Sequence, residues 1–141
     1  MPRTSNARRR SDCPISVSLD IFGDRWSLLI IRDLMFKERR EFGEFLKAEE
    51  AIATNVLTDR LRQLEEAGLI AKHGHPDDAR KFRYRLTAKG LDLAPVLVEM
   101  IVWAATHEKT AAPPKVVRQM IRDRAAFIAE LRATYKTSIE T

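Results

Sequence analysis

The spacing of apolar positions along the chain changes several times, and each change marks an element. Ile15, Leu19 and Phe22 recur at helical spacing, with Pro14 in the first turn, where its missing N–H costs nothing, and Gly23 at the end. These three side chains predict one buried face. From Asp24, a suitable N-cap, DRWSLLIIRDLMF is apolar nearly all round: Trp26, Leu29, Ile30 and Leu34 lie on one side, Leu28, Ile31 and Met35 on another. Such a helix belongs in the middle of a core. A shorter helix near REFGEFLKA follows, with Phe42, Phe45 and Leu46 on one stripe. The next begins at Thr54, expected to cap it or touch a phosphate, buries Leu57, Leu61 and Leu64, and stops at Gly68.

The period then falls to two. Phe82, Tyr84 and Leu86 alternate with Lys81, Arg83 and Arg85, which predicts a strand with its apolar side on the core and its basic side outward. With the apolar start Leu69-Ile70 and a polar turn from His75 to Arg80, this segment reads as a hairpin. Thr87 is expected to cap a long, very apolar helix that Pro95 bends, and Pro113-Pro114 separate it from one last amphipathic helix running to Tyr135. The predicted fold class is mainly α with a small β-hairpin wing, a winged helix-turn-helix. Residues 1–12 read as a disordered basic arm, 13–107 as the winged domain with a dimerisation helix, and 108–141 as a linker and C-terminal helix.

A helix with a spare polar face, followed at once by a basic hairpin, suits double-stranded DNA. The helix can enter the major groove while the hairpin reaches the backbone or the minor groove. At 100° per residue, Asn55, Asp59 and Arg62 fall opposite the leucines, with Thr58 beside them. Asn55, Thr58, Asp59 and Arg62 are therefore the expected base readers, Arg62 pairing with guanine and Asn55 with adenine. Asp59 is alternatively a group that orients Arg60 or Arg62. In the hairpin, Arg80 near the tip is the minor-groove candidate, with Lys81 and Arg83 beside it. Arg39 and Arg40 stand at the start of a helix, where positive charge opposes the macrodipole unless an anion sits there. They read as a phosphate contact or as a solvated loop.

Composition places this chemistry. The net charge of the 141 residues is only +5, but residues 1–12 and 70–86 carry about +3 each, so the basic character lies in the arm and the hairpin. No apolar run approaches the roughly 20 residues of a membrane span, and no leader pattern is present, so the expected location is the cytoplasm. The single cysteine, Cys13, excludes an intrachain disulfide and fits a reducing compartment. It precedes Pro14 at a helix start, where the dipole and Arg8 to Arg10 favour the thiolate, a chemistry suited to redox or electrophile sensing.

The runs CPISVSLDIFGDRWSLLIIRDL, NVLTDRLRQLEEAGLI and YRLTAKGLDLAPVL, with Trp103 beyond them, resemble the HxlR family of bacterial winged helix-turn-helix regulators in order and spacing from Cys13 to Trp103. The resemblance implies a dimeric, cytoplasmic, DNA-binding regulator, with dimer contacts from the first helix and the helices after the wing. It also implies that a cysteine in the region of Cys13 serves some members as a sensor of oxidants, aldehydes or quinones. Many members open the recognition helix with a serine-proline pair where this chain has Ala53-Thr54. The helix after Pro113-Pro114 extends beyond the usual core, so no role is carried over to it. A repressor is the expected form of so small a regulator.

Other classes fit less well. His73, His75, His107 and Cys13 lack the spacing and the further ligands of a metal site, and no cofactor is expected. None of the five glycines lies in a phosphate-cradling motif, so catalysis is not expected. The alternative with most support is a protein-interaction module of the same fold, because an apolar helix that dimerises and one that binds another protein leave the same trace. An effector is not identifiable.

Overall fold

The computed structural model describes residues 9–140, which form two compact units dividing between Gly90 and Leu91. Arg3 and Arg8 of the predicted basic arm lie outside the described residues, whereas Arg9 to Asp12 are exposed and outside any helix or strand.

The first unit begins with α1 (Pro14–Phe22), whose N-cap is Cys13. Its apolar face is not covered, contrary to the expectation from spacing: Ile15 is 71% and Leu19 57% exposed. Spacing defines a stripe but not the surface that buries it. The next helix, α2 (Ser27–Phe36), starts two residues later than expected. Asp24 still organises that start, accepting from the backbone N–H groups of Trp26 and Ser27 (both 2.9 Å) and from the Ser27 hydroxyl. As the all-round apolar pattern required, α2 is central, with Ile30, Ile31, Leu34 and Met35 buried. Short α3 (Phe42–Phe45) buries only Phe45 of its three predicted apolar contacts.

Helix α4 (Thr54–Glu66) buries Leu57, Leu61 and Leu64, as its pattern demands. Thr54 is not its cap, because it is already the first helical residue; Ala53 holds the N-cap position and no side chain caps the turn. At the other end Leu69 N–H donates to the Leu64 carbonyl and Gly68 N–H to the Glu65 carbonyl, the paired bonds of a Schellman stop. Gly68 makes that stop with φ +79°, a conformation costly for a residue with a Cβ.

Strands β1 (Ile70–Gly74) and β2 (Phe82–Leu86) pair antiparallel, with Ile70 opposite Leu86 and Gly74 opposite Phe82. The sequence does not disclose a third participant. Glu41 bridges to Arg83, and Tyr84 N–H donates to the Arg40 carbonyl at 2.8 Å, so the segment before α3 forms an edge beside β2. Two residues are too few to show a period. Tyr84 and Leu86 are buried, and Phe45 meets Tyr84 edge-on at 6.1 Å. Phe82 departs from the prediction: it is 47% exposed, at the outer end of the hairpin, and the Lys72 ammonium lies 4.2 Å from its ring centre.

An ion-pair cluster sets the entry of that edge segment. Asp33, on α2, is 3% exposed and accepts from Arg32 (2.7 and 2.9 Å) and from Arg39 (3.0 Å). Arg32 also grips Glu50 through two bonds of 2.7 and 2.9 Å, which holds the Glu50 carboxyl at about 2. A buried carboxylate with two guanidinium partners has its desolvation offset, and the turn between them is fixed.

The long helix expected after the hairpin is two helices. Thr87 caps α5 (Ala88–Leu91) as predicted, accepting from Gly90 N–H at 3.1 Å while its hydroxyl donates to the Gly68 carbonyl at 2.6 Å. The helix then stops, and α6 (Ala94–His107) restarts with Pro95 in its first turn. Proline here opens a helix instead of bending one, since the first turn needs no N–H from it.

The second unit packs α6 with α7 (Pro114–Arg122) and α8 (Arg124–Glu140) around Val98, Val102 and Met120. The single terminal helix of the prediction is thus also broken. Asp123 leaves helical geometry, and its carboxylate accepts from Ala126 N–H at 3.0 Å to cap α8. An aspartate inside a helical pattern competes for backbone N–H groups, which the apolar period does not report.

Candidate nucleic-acid interface

The leucines that hold α4 to the core turn its other face to solvent, leaving Asn55, Thr58 and Arg62 exposed and Asp59 half-exposed. Asp59 is the hub of that face. Its carboxylate takes Arg60 at 2.6 Å, Arg62 at 2.5 Å and the Gln63 amide at 3.1 Å. The two guanidinium groups, Arg60 foremost, hold its carboxyl below the ordinary aspartate range. Arg60 also faces Asp24 at 3.4 Å, and Arg62 reaches Glu66 at 3.2 Å. Asp59 therefore orients both arginines that the sequence left open. Arg62 is the outward member, its side chain 59% exposed, and carries a carboxylate on each side.

Beside α4 the hairpin supplies cations. Arg80 extends from the turn with its side chain 91% exposed, held at its base by Asp78, which accepts from the Arg80 N–H at 3.0 Å. Lys81 is exposed and lies 3.9 Å from Glu41. Arg83 alternates with buried Tyr84 and Leu86 as predicted but is only half-exposed, beside the edge segment, whereas Arg85 is exposed. The edge segment explains this, since it places Glu41 directly opposite Arg83, where a two-stranded hairpin would leave only water. Between α3, α4 and the hairpin runs an open groove of about 480 Å³, lined by Glu41, Thr58, Lys72, Arg80, Lys81 and Phe82 among others.

The structure separates Arg39 and Arg40 from that groove's cations. Arg39 is engaged by Asp33, and Arg40 pairs through its backbone, donating its N–H to Glu44 at 3.0 Å and accepting from Tyr84. The conflict with the helix dipole is met within the protein: Glu41 and Glu44 form a capping box at the start of α3. Thr54 is exposed, and its carbonyl accepts from the Thr58 hydroxyl at 3.0 Å.

In the sequence His75 is no more than the first residue of the polar turn. Its Nδ1 accepts from Asp77 N–H at 3.0 Å, which leaves Nε2 as the protonated nitrogen, 3.4 Å from Glu41. The pair ties the hairpin turn to the start of α3. Only a three-dimensional approach of residues 34 positions apart creates it.

Cys13 is exposed at the N-cap of α1, where the amide groups of Ser16 and then Ile15 lower its thiol below the ordinary range. Arg9 is turned toward Asp12 at 3.8 Å. Among the described residues no group of three or more histidine, cysteine, aspartate or glutamate side chains could hold a metal, and no helix is long and apolar enough to cross a membrane.

Comparison with known proteins places this architecture. The sequence model of a family described as HxlR-like helix-turn-helix matches residues 21–112. An HTH-type transcriptional regulator of Synechocystis is 41% identical over 88 residues, covering 62% of this chain and 64% of that protein, so the chain spans a little under two thirds of that relative. The solved structure of PA1607, a candidate transcription factor, superposes with a TM-score of 0.66 at 36% identity over 76% of this chain and 73% of that one. The transcriptional regulator YodB of Bacillus subtilis, in its reduced form, superposes with a TM-score of 0.56 at 32% identity, over 69% of this chain and 95% of YodB. YodB has also been solved diamide-treated and quinone-bound.

Proposed function

The chain belongs to the HxlR-like helix-turn-helix family, and from that premise we propose that it is a dimeric, sequence-specific, double-stranded DNA-binding repressor of transcription acting in the cytoplasm. The observation that carries this reading is the exposed face of α4, with Asn55, Thr58 and Arg62 beside the cation-lined groove of the wing. The face enters the major groove, with Arg62 and Asn55 on base edges and Asp59 holding Arg62 in direction. The sugar–phosphate backbone lies in the groove against Lys72, Lys81 and Thr58, exposed Thr54 at the first turn of α4 meets a phosphate, and Arg80 reaches toward the minor groove. Arg83, half-buried, and Arg39 and Arg40, engaged within the protein, position this surface from behind.

Two copies are needed because one α4 spans only a half-site. Uncovered apolar residues supply the contact: Ile15 and Leu19 on α1, and Val96, Met100 and Trp103 on α6. The latter three recur at helical spacing, as a helix that packs on a partner requires.

A footprint on the DNA upstream of the protein's own coding sequence is expected to show two protected half-sites about one helical turn, roughly 34 Å, apart. Arg62→Ala should weaken binding to that site by about 10- to 100-fold and relax preference at one base pair, leaving non-specific binding nearly unchanged. Absence of protection at moderate salt, there and across a genomic library, would overturn the reading. A salt-insensitive complex with another protein would favour the interaction-module alternative.

Cys13 gives the regulator a redox input. Two Cys13 thiols, one per protomer, would lose two electrons and two protons to an oxidant such as diamide and form an intermolecular disulfide. Diamide treatment should change operator affinity in the natural protein and leave Cys13→Ser unaffected; an equal response in both excludes this role.

A further inference from the structure

From Lys109 to Arg122 the chain carries four cations and no carboxylate, and this run lies largely beyond the family match, which ends at residue 112. Three of the four fall on one side of α7. At 100° per residue Lys115, Arg118 and Arg122 lie within about 60° of one another and extend over roughly 10 Å of helix. The opposite side holds the helix in its unit: Met120 is 2% exposed and packs with Val98 and Val102, and Val116 joins the same cluster. The cationic side thereby faces solvent, with Lys115, Arg118 and Arg122 all exposed.

Neighbouring cations of the same unit are neutralised. Arg124 pairs with Glu99, and Arg132 pairs with Asp92 at 2.9 Å. Asp123 is engaged in capping α8. Among the described residues no carboxylate lies within ion-pair distance of Lys115, Arg118 or Arg122. The start of α7 has no acidic residue in its first turn, and Lys115 stands there against the helix dipole. A stripe kept free of internal partners, with a cation at an unfavourable helix end, is complementary to an external polyanion.

We propose that this face of α7 is a second DNA contact, binding the phosphate backbone of duplex without reading its sequence. It rests on the DNA-binding reading above. Charges along one DNA strand are about 3.4 Å apart in projection, so a stripe of this length meets some three phosphates. Its side chains are suited to phosphate oxygens; apart from Gln119, none on that side carries the paired donor and acceptor that reads a base edge.

The test measures affinity against salt for the full chain on its upstream DNA and on a scrambled duplex of equal length. Relative to the natural protein, K115Q/R118Q/R122Q should lose affinity about equally on both duplexes. Its slope of log affinity against log salt should be shallower by roughly two to three, from about 0.9 per phosphate. The charge-preserving K115R/R118K/R122K should keep the natural slope, and both variants should keep the natural circular dichroism. An unchanged slope in the neutralised variant, when the natural protein binds DNA, overturns the α7 contact alone. A natural protein that binds neither duplex overturns this inference together with the DNA reading. Loss of affinity that follows a fall in sedimentation mass assigns the stripe to self-association and likewise overturns it.

Discussion

Trp103→Glu is expected to convert the proposed dimer to a monomer and to weaken its binding to the proposed operator at least a hundredfold. Trp103 is 65% exposed in the single chain, and Met100, one helical turn before it, is 50% exposed. A tryptophan can bury some 150–250 Å² at an interface, the largest contribution available to any one side chain. In a two-fold dimer the same residue enters the contact from both protomers, so one substitution places two carboxylates there. Removing a charge from water without a partner costs several kcal/mol, enough to reverse a modest association. Loss of the dimer in turn removes the second half-site, whose local concentration after the first has bound is in the millimolar range. Sedimentation equilibrium checks the mass and a gel shift the affinity. A Trp103→Glu protein that stays dimeric would remove α6 from the contact, and Leu19→Glu would then test α1 in the same way.

Gly90→Ala is expected to destabilise the first unit by about 3 kcal/mol and lower its melting temperature by roughly 12–24 °C. Propensity alone predicts the opposite sign, since alanine in a helix is favoured over glycine by about 1 kcal/mol. The close approach of α5 to the start of the hairpin decides the matter. A Cβ at Gly90 would overlap the Leu69 carbonyl oxygen, with the Leu86 Cδ2 only 3.2 Å away. That oxygen accepts from Thr87 N–H at 3.0 Å, and the Thr87 hydroxyl donates to the Gly68 carbonyl. Relief therefore means drawing α5 back and disturbing the bonds that join the end of α4, the hairpin and α5. A thermal melt followed by circular dichroism measures this, and a melting temperature equal to or above the natural one would show that the backbone yields without cost.

Most of the fold can be read locally. The buried leucines of α4, the central place of α2, the stop at Gly68 and the cap by Thr87 each depend on residues within a few positions of one another. The breaks in the two predicted long helices are local too, and have a common form. Asp123 and the Asp92-Leu93 step interrupt helices whose apolar period runs on, because a polar side chain that captures a backbone N–H, or a proline that opens a new turn, does not alter the period. The polar face of α4 is evident as a face, but the sequence does not disclose that Arg60, paired with Asp59, also faces Asp24 from a distant part of the chain, which leaves Arg62 the outward member.

The sequence by itself determined the kind of protein: the order of helices and hairpin, the side of each that is apolar, and the concentration of positive charge beside one exposed helix. These follow from periodicity and charge, which act over one or two turns of chain. Only the tertiary structure decided which charges are available. Arg39 is committed to a buried aspartate, Arg83 lies beside an edge segment too short to have a pattern, and His75 closes on Glu41 across the fold. It also left the apolar face of α1 uncovered. The reason is the same in each case: a pattern states that a side chain needs a partner, and the partner is chosen by contacts between residues far apart in the chain.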